Sequence, residues 1–274
     1  MRTLLLRSAS PLLALVLLLF TSACSDSGDS LSGSSGEGTL KVIVTDAPFP
    51  IDEIDSANVT IGRIDIREAD TETFTTLLSD TTLTLNLIEL RNGITKSLPD
   101  FTIPSGSYDQ VRLYITNAAL VFTDGSRDEF TIPSAAASGL KINISPPLRI
   151  SDGLTSEMLL DFDLGGSFHQ TGNGEFMFRP VVRAVNNSIA GTLTGSVTGE
   201  SAGSITGAEV WVDGGEDRIA TALTGSDGSY TIMGLPAGNH TARATAETYD
   251  TVTVSVDIVA GNYTIQNFTI PTTE

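Results

Sequence analysis

The sequence predicts an all-β protein, two β-sandwich-type domains that follow an export signal and a flexible linker. Three observations carry that expectation. Runs such as "TLKVIVT" (39–45), "TLTLNL" (82–87), "VRLYIT" (111–116), "KINI" (141–144) and "TVTVSVDIV" (251–259) alternate apolar with polar residues and are rich in Val, Ile and Thr, as strands with one buried face require. Turn chemistry punctuates them at Asp124-Gly125, Asp152-Gly153, Asn173-Gly174, Asp227-Gly228 and Pro236-Ala237-Gly238. No fifteen-residue window carries a 3.6-residue apolar period, which leaves room for one helical turn near "NLIELRNG" (86–93).

Residues 1–23 read as the signal. Arg2 and Arg7 form a positive start, "PLLALVLLLF" (11–20) an apolar core, and Thr21, Ser22 and Ala23 a small-residue exit. Ten helical residues reach only ~15 Å at 1.5 Å each, about half of a bilayer's hydrocarbon thickness, so the segment suits export rather than a permanent span. Cys24, the only cysteine of the chain, follows directly. Thr21-Ser22-Ala23-Cys24 resembles a bacterial lipobox, and the resemblance implies cleavage before Cys24, lipidation of its sulfur and acylation of the new amino terminus. The membrane then becomes a partner through the anchor, because each buried methylene is worth ~0.8 kcal/mol and several chains hold together. Ser25, standing where an Asp would retain the protein, implies by the same resemblance passage to the outer membrane. An ordinary cleaved signal that leaves a free thiol is the other reading.

Residues 24–38 form the linker. "SDSGDSLSGSSGEG" (25–38) is too polar to bury a core, and as a flexible coil its ends average ~20 Å apart. Removing the signal leaves 13 basic and 33 acidic residues, a formal charge of −20. Such a chain repels polyphosphates, which excludes nucleic acid as a partner. With one cysteine there is no intramolecular disulfide, so stability must come from apolar cores.

A boundary is expected near "NNSIAGTLTG" (186–195), dividing the remainder into residues 39–188 and 189–274. The second segment resembles the carboxypeptidase regulatory-like module, a small transthyretin-like or immunoglobulin-like sandwich. The likeness rests on "AGTLTGSVTG" (190–199) and "TGSDGSYTIMGLPAGNHTARA" (224–244). The first segment resembles a domain family of unknown function found in bacterial and archaeal surface lipoproteins. The matching stretches are "GTLKVIVTDAP" (38–48), "IPSGSYDQVRLYI" (103–115), "GLKINI" (139–144), "LLDFDL" (159–164) and "FRPVVRAV" (178–185). That resemblance implies architecture and location, and no activity.

Few residues suggest chemistry. Asp161 and Asp163 in "LLDFDL" leave the same face of a strand, while Leu160, Phe162 and Leu164 leave the other. Three readings stand: a calcium site, an acid/base pair for a surface hydrolase, or a solvated face paired with a cross-strand Arg179 or Arg183. Asp46, beside Pro48 at a strand end, reads as a turn cap. "GESAG" (199–203) matches the Gly-x-Ser-x-Gly nucleophile pattern, but a Gly/Ser loop between strands gives Ser201 no helix to open. Trp211 reads as a buried aromatic of the sandwich core, while its phase opposite to Val210 and Val212, which would expose it, keeps a platform for sugar rings as the alternative. No cofactor is implied, and calcium is the one metal considered. The function expected is a non-catalytic, lipid-anchored envelope protein that binds or displays an extracytoplasmic ligand, with polysaccharide or a surface protein as partner. A carboxylate-based hydrolase and a structural spacer are the alternatives.

Overall fold

The computed structural model describes residues 36–47, 53–172, 175–215 and 217–273. The signal, Cys24 and most of the linker lie outside them. Within them the predicted alternation becomes burial. In β1 (Glu37–Ala47) Leu40, Val42 and Val44 are fully buried on one face, and Lys41 between them is exposed. In β2 (Ile54–Glu68) the inward phase runs through Ala57, Val59 and Ile61 and then jumps to Ile64 and Ile66. Its neighbour β3 (Gly106–Phe122) jumps likewise, from Val111, Leu113 and Ile115 to Ala118 and Leu120. Register shifts at Ile61 cause both jumps, where an extra residue on each strand flips the side-chain phase while the long ribbon keeps pairing and twisting.

The first sheet runs in the order of the short strand Phe74–Leu78, β2, β3, β4 (Leu140–Ile150), β6 (Val182–Asn186), β5 (Thr155–Asp163), β1 and the short strand Lys96–Ser97. Most neighbours are antiparallel. The exceptions are β1 with β5, which run parallel from Thr39 opposite Thr155 to Ala47 opposite Asp163, and β4 with β6. The curled sheet encloses one apolar cluster that includes Ile64, Leu113, Leu160 and Phe162, with a fringe of rings in which Phe168 and Phe178 lie 4.5 Å apart. The helical turn expected near residues 86–93 is a single 3₁₀ turn, Leu87–Leu90, whose Leu87 and Leu90 plug this cluster.

A three-residue turn, Asn187–Ile189, connects β6 to β7 (Ala190–Gly199). The second core lies between two sheets. One pairs β7 with β10 (Ser229–Pro236) on one side and with β13 (Tyr263–Ile265) and β14 (Phe268–Ile270) on the other. The second sheet runs β9 (Arg218–Leu223), β8 (Glu209–Asp213), β11 (Gly238–Thr245) and β12 (Val252–Ile258). Leu193, Val197, Val210, Val212, Ile232 and Phe268 fill the space between, and the buried Tyr230 hydroxyl donates to the Gln266 carbonyl at 2.7 Å. Asp227-Gly228 makes its expected turn: the Asp227 carboxylate accepts from the backbone N–H and hydroxyl of Ser229 at 3.0 and 2.7 Å, and Gly228 adopts φ 77°. Both cores belong to one compact unit. Among the described residues no helix is long and apolar enough to cross a membrane.

Close approach makes one glycine irreplaceable. A Cβ on Gly195 of β7 would stand 1.8 Å from the Gln266 carbonyl oxygen, so Gly195→Ala should cost about 2–3 kcal/mol of overpacking in urea unfolding. Ser201→Ala, in the exposed turn after β7, should stay within about 0.5 kcal/mol of the parent.

Candidate functional site at the seam between the two cores

The outer face of β1, β5 and β6 is not a solvent face. Leu159 is fully buried and Ile43 is 8 % exposed, yet neither belongs to the first core cluster. They are covered because β10 of the second core packs against this face. Gly234 of β10 adopts φ 66° and sits so close that a Cβ there would lie 2.7 Å from Leu159 Cδ2 and 3.4 Å from Val185 Cγ2. Asn92, in the left-handed conformation at φ 58°, completes the contact. Its amide Nδ2 donates to the Ser229 carbonyl at 3.2 Å, and its Oδ1 accepts the Thr231 N–H at 2.7 Å. One side chain thus occupies both hydrogen-bonding groups of β10's edge as a neighbouring strand would.

The same seam collects the acids that the sequence singled out. As the strand pattern required, Leu160, Phe162 and Leu164 enter the core and Asp161 leaves the opposite face. Register places Asp161 opposite Arg183, and the guanidinium Nη2 meets Asp161 Oδ2 at 2.6 Å. The other arm, Nη1, donates to the Gly234 carbonyl at 3.0 Å, so one arginine links β5, β6 and the second core. Burial lifts the Asp161 carboxyl above the ordinary carboxylate range, against the opposing pull of Arg183. Asp163 is spent differently: its Oδ1 accepts the Gly166 N–H at 2.7 Å and caps the single-turn helix Leu164–Ser167. Among the described residues no group of three or more His, Cys, Asp or Glu side chains is placed to hold a metal.

Two expectations need correction. Asp46 is no local turn cap. It is 4 % exposed, and its Oδ1 reaches 118 residues along the chain to accept the Leu164 N–H at 3.1 Å. Burial, with Asp161 and then Asp163 adding repulsion, pushes its carboxyl well above the ordinary range, and the Leu164 bond opposes the shift only in part. Trp211 does point out of the second core, but it is not an open platform. It is 8 % exposed, because the Arg218 guanidinium lies 4.1 Å from its ring centroid and its Nε1 donates to Asp213 at 3.0 Å. Alternation gives the face of a strand, whereas coverage of that face depends on a neighbour such as Arg218 that no local pattern announces. Asn92 and Arg218 were missed for that reason. The Asn-Gly pair at 92–93 was the one available signal for the former.

Beside the seam opens a cleft of about 490 Å³, lined by Asp161, Asp163, Gly165, Arg183, Glu209 and Arg218 among others. Glu209 and Arg218 form an ion pair on its far wall. The lining therefore offers hydrogen-bonding groups of both charges, and most of them already hold one another.

Comparison with known sequences and structures places these features in context. The profile of the family described as Domain of unknown function (DUF4382) matches residues 37–180, and that of the Carboxypeptidase regulatory-like domain matches residues 192–271. No curated protein matches the chain. Among solved structures it is similar to the Bacillus anthracis TIE protein, with 14 % identity and a TM-score of 0.28 over 88 % of this chain and 42 % of that one. It is also similar to the shaft pilin SpaA of Lactobacillus rhamnosus GG, with 11 % identity and a TM-score of 0.28 over 86 % of this chain and 98 % of the pilin. A third is the dioxygenase domain of a carbohydrate-binding fusion from Streptomyces sp. SirexAA-E, with 17 % identity and a TM-score of 0.25 over 31 % and 82 %.

If Arg183 braces the seam, Arg183→Ala should lower stability by about 3 kcal/mol, since Asp161 is left with a buried, unpaired charge and the Gly234 carbonyl loses its donor. Arg183→Lys restores the charge without the fork and should recover only part of that loss. Denaturant unfolding of the three proteins checks the order, and a loss below about 1 kcal/mol for the alanine variant would show the pair to be effectively solvated.

Proposed function

The chain belongs to the DUF4382 family, and on that premise we propose that it is a lipid-anchored protein of the cell envelope, tethered at Cys24, that binds or displays an extracytoplasmic ligand without catalysing a reaction. The observation that carries this reading is the commitment of the seam's charges. A hydrolase built on Asp161 and Asp163 needs one carboxyl free to donate a proton and one free to attack or to activate water. Here Asp161 is engaged by Arg183 and Asp163 caps a helix turn, so both work as structure.

The ligand surface in this reading is the cleft. Its volume of about 490 Å³ falls in the range of small-ligand sites, and its mixed acids and guanidiniums suit a neutral polyhydroxyl ligand such as a short oligosaccharide. Such a ligand would bind by hydrogen bonds in the cleft and not by stacking on Trp211, whose ring Arg218 already covers. The lipobox-like Thr21-Ser22-Ala23-Cys24 and the polar linker behind it support a surface location. Passage to the outer membrane is part of the same proposal and rests on Ser25.

Two measurements test the two halves. Cys24→Ser should move the protein from the membrane fraction to the soluble fraction and abolish a lipid-modified amino-terminal peptide in mass spectrometry; an unmodified Cys24 in the parent would refute the anchor. On a glycan array the parent should bind oligosaccharides, and a Glu209→Gln, Arg218→Ala double variant should lose that binding with its unfolding midpoint nearly unchanged. Silence of the parent on the array, together with capture of one surface protein, would favour the structural spacer instead.

A further inference from the structure

A second, much smaller space lies inside the seam. It has a volume of about 20 Å³ and is walled by Thr45, Asp46, Asn92 and Asp161 from the first core and by Thr221 and Thr231 from the second, among others. That is room for one water molecule or one bare ion. Asp46 Oδ1 accepts the Leu164 N–H, but Oδ2 is sealed from solvent and has no hydrogen-bond partner. A buried carboxylate oxygen left in this way is costly. The carboxylates of Asp161 and Asp163 face Asp46 and repel it, and the cations nearby are Arg183 and Arg91. Arg183 is taken up by Asp161 Oδ2 and Gly234, and Arg91 Nε donates to the Ile88 carbonyl, so neither supplies Oδ2 with a partner. A proton on Oδ2 would cancel the charge and is the competing occupant that the calcium titration below tests against. A water would supply a donor but no positive charge.

We propose that this cavity is the site of a single hard metal cation, bound by the unpartnered Oδ2 of Asp46 together with Asp161 and completed by neutral oxygens of the threonine-rich wall. Two carboxylates with hydroxyl and carbonyl oxygens select hard cations of the calcium type over softer ions. The cation is coordinated from both cores, so it clamps them together and belongs to the folded state. The site shares Asp161 and Thr221 with the wall of the cleft, but the cation needs no oligosaccharide bound there. It also moves the carboxylate pair expected at Asp161 and Asp163 to Asp46 and Asp161, because Asp163 is already spent as a cap.

The test uses the full chain in detergent, stripped with EDTA and returned to metal-free buffer. Calcium chloride should raise the unfolding midpoint saturably, by about 3 °C or more, while choline chloride at equal ionic strength should not. Elemental analysis after dialysis should find one calcium per chain. Asp46→Asn keeps the acceptor for Leu164, removes the anionic oxygen, and should make the midpoint indifferent to calcium. The proposal is overturned by a parent that neither shifts with calcium nor retains metal, or by an Asp46→Asn protein that responds as the parent does. Should that variant not fold, the metal content of the parent decides the matter by itself.

Discussion

One guanidinium carries the mutual orientation of the two cores. Arg183 sits opposite Asp161 by strand register and reaches with its second arm to a carbonyl at the bend of β10, so a single planar group fixes two backbones and one carboxylate. Much else at the seam follows from that bridge. Gly234 must lack a side chain to bring its carbonyl within reach, Leu159 is dry because the approach is close, and Asp161 tolerates burial because its counter-charge is fixed beside it.

Asn92 secures the seam at a second point by a different physical route. Its amide imitates a peptide group and satisfies both an N–H and a carbonyl of β10, where an edge strand would otherwise turn to water. The two contacts divide the work. The charge pair is strong and sensitive to the dielectric around it, whereas the amide pair is neutral and directional. Together with the three-residue connection at Asn187–Ile189, they explain why two separate apolar clusters form a single compact unit.

The strands and their facing were readable from the sequence because they depend on local period. Leu160 and Phe162 inward with Asp161 outward, the Asp227-Gly228 turn and the helical turn at Leu87–Leu90 are all consequences of residues within a few positions of one another. The site was only half readable. Asp161 and its pairing with Arg183 were among the alternatives, since cross-strand partners follow from strand assignment. Asp46 and Trp211 were misplaced, because their surroundings are set by Leu164 and by Arg218 respectively. Leu164 lies 118 residues beyond Asp46, and Arg218 lies across a strand turn from Trp211. The phase jumps in β2 and β3 were invisible for a related reason: a bulge is a property of the pair, and neither strand's pattern reveals it alone.

The parallel pairing of β1 with β5 has a kinetic consequence. Thr39 finds its parallel partner at Thr155, so the first strand of the sheet cannot complete its second ladder until more than a hundred further residues are available. Loop closure over that distance is slow, and such high contact order delays the folding nucleus. Until then β1 has only the short strands Lys96–Ser97 and Phe101–Pro104 to pair with, so its second edge is the last part of the sheet to be sheltered.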